Sequence, residues 1–203
     1  GRNYRKVMLI SPPGKIFVRP DGALGERKHC TPPLGLAYIS AGLLARGYEV
    51  CVLDALAEGY ENEIYDEPFI VYGLPIDVLL QRVEVSAPDV VGISLLFSSR
   101  AKEAFEIALA IKDKLPNVKI VMGGQHPSAM PRESLGMAGV DFVLCGEADH
   151  TMPDLLDALN GGIDITTVNG LYYYDQNGDI ISNDDGKRAI VSGGTYNYYS
   201  RKD

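Results

Sequence analysis

The chain has no excess of positive charge, no long apolar run and no paired cysteines. Among its 203 residues, 19 Lys and Arg stand against 27 Asp and Glu, a formal net charge of −8. Phosphate binding needs a basic face, so no large nucleic-acid footprint is expected. No apolar stretch approaches the ~20 residues that span a bilayer, and no secretory signal opens the sequence. The chain starts at Gly1 rather than Met, which suggests a piece of something longer. The 3 cysteines, Cys30, Cys51 and Cys145, are odd in number, far apart and in no C-x-x-C or zinc spacing. They read as thiols of a cytoplasmic protein, not as a disulfide framework.

Signatures of common chemistries are missing too. A phosphate-binding loop needs G-K-[ST], which does not occur. Ser11-Pro12-Pro13-Gly14 follows the first apolar run where a dinucleotide fingerprint would need G-x-G-x-x-G. A phosphoacceptor receiver needs an acidic pair and an Asp where Ser11 and Ser94 stand. Gly92-Ile93-Ser94 continues into Leu95-Leu96, so there is no nucleophile elbow. There is no internal repeat.

What is present is an alternation. With 46% hydrophobic and 23% charged residues the chain can bury one sizeable core. Val7 to Ile10, Glu49 to Asp54, Val90 to Ile93, Val118 to Met122 and Asp141 to Cys145 read as short apolar strands. Between them, Pro33 to Arg46, a stretch around Ile76, Leu79, Leu80 and Val83, the run Ala101 to Ile111, and a short piece from Pro127 read as helices. A last helix carries Met152, Leu155, Leu156 and Leu159 on one face. Alternating strands and helices imply right-handed βαβ units. The expected fold is α/β: a doubly wound, Rossmann/flavodoxin-like, five-stranded parallel sheet of order 2-1-3-4-5. Residues 11–31 and 55–75 read as irregular, the second stretch being acidic. Asn177-Gly178 between Val168–Tyr174 and Asp179–Ser182 predicts a type I′ hairpin. The expected organisation is a domain over 1–165, a C-terminal hairpin appendage over 166–191 and a linker or tail over 192–203.

In open α/β sheets a ligand sits beyond the carboxyl ends of the strands, at the switch in strand order. The loops there are Ser11 to Phe17, the stretch from Asp54, Ser94 to Ser99, Gly123 to Pro127, and Gly146 to His150. They are rich in Gly, Ser and Pro, so the site reads as polar and neutral, not metal-chelating. Each residue also has a plainer reading. Ser94 caps strand ends as readily as it touches ligands. Gly123-Gly124 is a common strand-to-helix turn. Asp54 can cap a loop, His126 can be a loop residue near a helix start, and His150 can be an N-cap. The acidic run Glu58, Glu61, Glu63, Asp66, Glu67 reads as a solvated face. Tyr172, Tyr173 and Tyr174 read as hairpin packing, and Cys30 and Cys145 as buried thiols.

Several stretches together resemble a known family. Pro32-Pro33-Leu34-Gly35-Leu36-Ala37-Tyr38-Ile39 with Gly47-Tyr48-Glu49-Val50 is similar to the N-terminal cobalamin-binding domain of cobalamin-dependent radical S-adenosylmethionine enzymes. So are Pro88 to Ser94, Val121 to Pro127, and Val140 to Val143 with Gly146-Glu147. The resemblance covers about residues 5–160. Cobalamin-binding domains carry D-x-H-x-x-G, then S-x-L, then G-G. Ser94-Leu95-Leu96 matches the second and Gly123-Gly124 the third, but the first loop has no His, and His29 lies much further along.

The resemblance implies a cofactor, cobalamin, with no protein ligand to cobalt. It implies cofactor-binding residues Ser11, Pro12, Pro13, Gly14, Asp54, Ser94, Leu96, Ser98, Ser99, Gly123, Gly124, Gln125, His126, Gly146 and Glu147. Ser94 would hydrogen-bond the dimethylbenzimidazole tail, Gly123 and Gly124 would let the nucleotide loop pass, and Pro12 to Phe17 would cover the lower corrin face. Radical chemistry needs C-x-x-x-C-x-x-C, which is absent here. S-adenosylmethionine and a 4Fe-4S cluster are therefore expected only in a radical domain outside this sequence. The fragment would bind and position the cofactor for a methyltransferase without turning over alone. Two other readings stand beside it: a cofactor-free docking module, and a stand-alone corrinoid carrier. The carrier predicts a His ligand that the first loop does not offer.

Overall fold

A computed structural model describes residues 3–183. The first strand, β1 (Lys6–Ser11), runs into a short strand β2 (Gly14–Phe17). Helix α1 (Leu34–Ala45) follows, then β3 (Glu49–Asp54) and a single turn α2 (Ala55–Glu58). Two more short strands, β4 (Glu63–Asp66) and β5 (Phe69–Tyr72), precede α3 (Ile76–Ser86) and β6 (Val90–Ser94). Then come α4 (Ala101–Lys114), β7 (Lys119–Gly123), α5 (Gln125–Ala129), α6 (Pro131–Leu135) and β8 (Phe142–Leu144). Helix α7 (Ala148–Leu159) and the hairpin β9 (Leu171–Tyr174) and β10 (Ile180–Ser182) complete the described residues.

The main sheet has the order β10-β9-β8-β7-β6-β1-β3. Strands β3, β1, β6, β7 and β8 run parallel, and β9 joins β8 antiparallel, pairing Phe142 with Tyr173 and Leu144 with Leu171. The sheet therefore has seven strands, not the expected five. The hairpin is no appendage: it extends the sheet beyond β8, because Leu171 and Tyr173 reach one core face and Tyr172 the other. Its turn also differs from the expected type I′. Gly178 is left-handed (φ +84°) but Asn177 is not, and the Gly178 N–H donates to the Asp175 carbonyl at 3.1 Å. This is a type I turn closed by a glycine bulge. The Asp175 Oδ1 favours it by accepting from the N–H groups of Asn177 (2.8 Å) and Asp179 (2.9 Å). The expected linker over 192–203 and the end of the 166–191 segment lie outside the described residues.

The strands alternate between two cores. Val7 and Leu9 point toward α1 and α7, whereas Met8 and Ile10 point toward α3 and α4. All four are at most 2% exposed, as expected of a sheet covered on both faces. Helices α1 and α7 approach closely. A Cβ at Gly42 would lie 2.3 Å from the Asp149 carbonyl oxygen. Pro153 inside α7 has no N–H to give that carbonyl.

The two stretches read as irregular pair with each other. Strands β2, β5 and β4 form a second, antiparallel sheet that matches Gly14 with Tyr72 and Phe17 with Phe69. A buried ion pair, Lys15 to Glu103 at 2.7 Å, ties it to α4. Lys102 reaches Asp66 at 2.7 Å beside it. The acidic run is thus not merely solvated: Glu58 pairs with Arg82 and Glu63 with Lys28, both at 2.8 Å. On the other face Ile16, Leu56 and Tyr72 make a small core of their own. Cys145 is buried as expected, but Cys30 is exposed, because the loop that carries it lies over this small sheet instead of inside the core.

Candidate functional site

The register of the main sheet builds the site. Ser94, Gly123 and Leu144 stand side by side at the carboxyl ends of β6, β7 and β8. Two residues lower, Leu9, Gly92 and Val121 form a second row, about 7 Å deeper. Above both rows lies a cavity of about 750 Å³, walled by Leu36 and Ile39 of α1 and Met152 of α7. A smaller cavity of about 330 Å³, lined by Ser11, Pro12, Asp54, Leu95 and Phe97, shares Gly35, Leu36, Ser94 and Leu96 with it. The two make one groove, from the tips of β1 and β3 down between the sheet and the α1–α7 pair.

The two glycines after β7 have different reasons for being there. Gly124 is conformational: its φ is +112°, and a Cβ would meet the Leu95 carbonyl oxygen at 2.5 Å. Gly123 is not forced by the fold. Its φ is ordinary, and a Cβ there would find a single neighbour, the Leu144 carbonyl oxygen at 3.8 Å. Gly35 likewise has nothing within 4 Å. A side chain at 123 would project into the groove, so this glycine keeps open a space that the protein does not fill itself, and Gly35 stands at the edge of both cavities. The groove fits a large ligand with an apolar end and polar flanks. Its rim carries Ser94, Gln125, Ser128, Glu147 and Asp149, donors and acceptors suited to carboxamides.

Hydrogen bonds hold the rim loops together. Leu95 N–H donates to the Gly123 carbonyl (2.8 Å) and His126 N–H to the Leu95 carbonyl (3.2 Å). The Ser128 hydroxyl donates to the Gly124 carbonyl (2.8 Å) and accepts from the Gly146 N–H (3.0 Å), joining the loops after β7 and β8. Below the smaller cavity, Tyr72 donates its hydroxyl to the His29 carbonyl at 3.1 Å. The small sheet thus props the 28–31 loop against the groove.

Of the residues expected at the site, Ser94, Leu96, Gly123, Gly124, Gln125, Gly146 and Glu147 line the larger cavity. Ser11, Pro12 and Asp54 line the smaller one. Asp54 also caps α2 by accepting from the Ala57 N–H at 3.1 Å. Five residues are not brought to either wall. Pro13 is buried, and Gly14 is pinned in β2, where a Cβ would strike the Tyr72 ring at 2.3 Å. Ser98 and Ser99 are exposed on the turn before α4. His126 is 5% exposed on the opposite face of the sheet, against Phe105, with its Nδ1 2.8 Å from the Ser98 Oγ. Burial holds its pKa below the usual imidazole range. His150 is exposed in the first turn of α7, and Glu147 occupies the N-cap.

Sequence reasoning missed the floor and the helical wall: Leu9, Gly92, Val121, Leu36, Ile39 and Met152, together with Ser128 and Asp149. Gly92, a glycine inside a strand, was a readable sign of close approach. His29, distant along the loop, lines the smaller cavity, so an imidazole stands nearer the groove than its spacing implied. Among the described residues no helix is long and apolar enough to cross a membrane. No cluster of three His, Cys, Asp or Glu residues among them could hold a metal.

Cytidylyl-2-hydroxyethylphosphonate methyltransferase of Streptomyces wedmorensis is 34% identical over 182 residues, 88% of this chain and 33% of that protein. The chain spans about a third of the length of the curated relatives it matches most fully. Two solved structures share its fold. One is the cobalamin-dependent S-adenosylmethionine radical enzyme OxsB with aqua-cobalamin and S-adenosylmethionine bound (TM-score 0.65, 20% identity, 89% of this chain and 22% of that one). The other is the radical S-adenosylmethionine methyltransferase TsrM of Kitasatospora setae (TM-score 0.65, 21% identity, 89% and 30%). The model of the B12 binding domain matches residues 20–156, more than half of the sequence, and the chain belongs to that family.

Proposed function

We propose that the chain is the cobalamin-binding part of a larger radical S-adenosylmethionine methyltransferase. Ser94, Gly123 and the row Leu9, Gly92 and Val121 would hold the nucleotide tail. Ser11, Pro12, Asp54 and Leu96 would face the corrin side of the groove. When bound, cobalamin would supply methyl-transfer chemistry at cobalt, and the protein supplies placement and exclusion of water. The observation that carries this reading is Gly123, a glycine that neither backbone angle nor packing demands, at the mouth of an open groove.

The larger protein is supported by a second feature. Helix α1 has no charged residue, and Leu34 (64%), Tyr38 (67%) and Leu44 (58%) are exposed along it. So continuous an apolar stripe needs cover. Catalytic residues of the methyl transfer are assigned to the rest of the enzyme and none to this chain.

Incubation with hydroxocobalamin, then desalting, tests the reading by retained corrin absorbance. The wild-type chain is expected to retain the corrinoid, and Ser94→Phe to lose it while keeping its far-UV spectrum. A wild-type chain that retains none would favour the docking-module reading. The position of His29 favours examining the carrier reading as well. Imidazole-nitrogen hyperfine structure in the EPR spectrum of the cob(II)alamin complex, abolished in His29→Ala, would replace the absence of a protein ligand with a His-ligated cobalt.

A further inference from the structure

The floor of the groove offers no hydrogen-bond partner from a side chain. Leu9 (1% exposed), Val121 (3%) and Met152 (2%) line its deep part, with Gly92 between Leu9 and Val121. The polar side chains that reach the larger cavity stand higher: Ser94 at the end of β6, Gln125 and Ser128 in α5, Glu147 and Asp149 at the start of α7, and Tyr38 of α1, which is 67% exposed. The main-chain groups of the floor are engaged in the parallel ladder of β1, β6 and β7. A flat heterocycle that reaches this depth is therefore surrounded by methyl, methylene and thioether groups.

We infer that this groove selects cobamides by their lower base, accepting an apolar benzimidazole and discriminating against a purine. The inference rests on the proposed cobalamin reading and adds the class of corrinoid. An adenine base would bring an exocyclic amine and extra ring nitrogens into a floor that cannot satisfy them, and an unpaired buried polar group is costly. The two methyl groups of dimethylbenzimidazole fill the same space with apolar contacts, each methyl being worth about tenfold or more in a fitted pocket. Met152 and Val121 are the specificity-determining residues. Met152 is the residue of the helical wall that reaches Gly92: a Cβ there would lie 3.6 Å from the Met152 Cε.

The test compares two probes, cobalamin and the cobamide whose lower base is adenine, by titration against the wild-type chain, Met152→Gln and Val121→Thr. Both substitutions keep side-chain size and add a hydrogen-bonding group to the floor. The wild type is expected to hold cobalamin at least about tenfold more tightly than the adenine cobamide. Either variant is expected to move the ratio of the two affinities toward the adenine form by about tenfold. Taking the ratio between wild type and variant cancels any difference between the cobamides in free solution. Equal affinity of the wild type for both probes overturns the inference and leaves cobalamin binding intact. A ratio unchanged in folded variants does the same. Retention of neither probe by the wild type overturns the cobalamin reading and this inference with it.

Discussion

The two faces of the main sheet are built from the same strands and solve opposite problems. Toward α3 and α4, Met8, Ile10, Val91, Ile93, Ile120 and Met122 are all at most 2% exposed and fill their space. Toward α1 and α7, the alternate positions of β6 and β7 hold the buried Val90 and Val121, and Gly92, where Leu9 and Met152 occupy the place of a side chain; only at the strand ends do Ser94 and Gly123 leave a groove. One face was free to optimise packing, which rewards bulk. The other gives up apolar burial to keep a volume that a ligand can use. The difference separates residues that maintain the fold from residues that maintain the site.

Substitution on each face in turn would break or sharpen that contrast. Met122→Ala removes a fully buried side chain from the filled face and should destabilise the chain by about 2–5 kcal/mol in urea unfolding. Corrinoid retention by the molecules that stay folded should be unaffected. Gly123→Leu, its neighbour on the open face, should do the reverse. Stability should stay within about 1 kcal/mol, because the backbone angle is ordinary and the space is free. Retention should be lost, because the side chain occupies the mouth of the groove. If Gly123→Leu unfolds the chain as severely as Met122→Ala, position 123 belongs to the fold and the contrast fails.

Gly124 sharpens the contrast, because it lines the groove and yet belongs to the fold. With φ +112° and ψ −174° it occupies a region open essentially only to glycine. Gly124→Ala adds a contact of 2.5 Å with the Leu95 carbonyl oxygen. The expected cost is about 3 kcal/mol, read as a lowered urea midpoint with an unchanged slope. Corrinoid affinity should fall only in proportion to the unfolded fraction. A fully stable Gly124→Ala with weakened binding would move Gly124 into the same class as Gly123.

How much of this was legible in the sequence follows the same division. The polar and glycine punctuation at the strand ends marked Ser94, Gly123, Gly124 and Gly146 as the rim, because such residues stand out against apolar strands. The floor did not stand out. Leu9, Val121 and Met152 are apolar residues in apolar elements, and periodicity cannot tell a side chain facing a core from one facing a cavity. The small sheet was hidden for a different reason. Phe69-Ile70-Val71-Tyr72 is a strong run of strand formers, but its partner Gly14–Phe17 is distant in sequence, and nothing local encodes that pairing. The resemblance implies His126 at the rim, beside Gln125. The turn of α5 carries it to the filled face instead.

That misplacement leads to the smallest expected effect. On a filled face a titratable group has no water to share, and the His126 Nε2 is buried without a partner. Burial lowers the folded-state pKa of His126 below its ordinary 6.5. The neutral ring is the native form, so its stabilising contribution is complete above pH 6.5. As pH falls below that value the unfolded chain binds the proton first, and stability is lost until the folded-state pKa is passed. The loss cannot exceed about 1.4 kcal/mol per pH unit for one proton. Urea midpoints of the wild type measured from pH 7.5 to 5 should therefore decline below pH 6.5 by more than those of His126→Gln. Gln keeps a group able to hydrogen-bond the Ser98 hydroxyl but cannot titrate. Because Ser98 and His126 lie off the groove, corrinoid retention by His126→Gln at pH 7.5 should equal that of the wild type. Parallel pH profiles would show that the His126 ring is hydrated and that the face is less completely filled than Met8, Ile10 and Met122 imply.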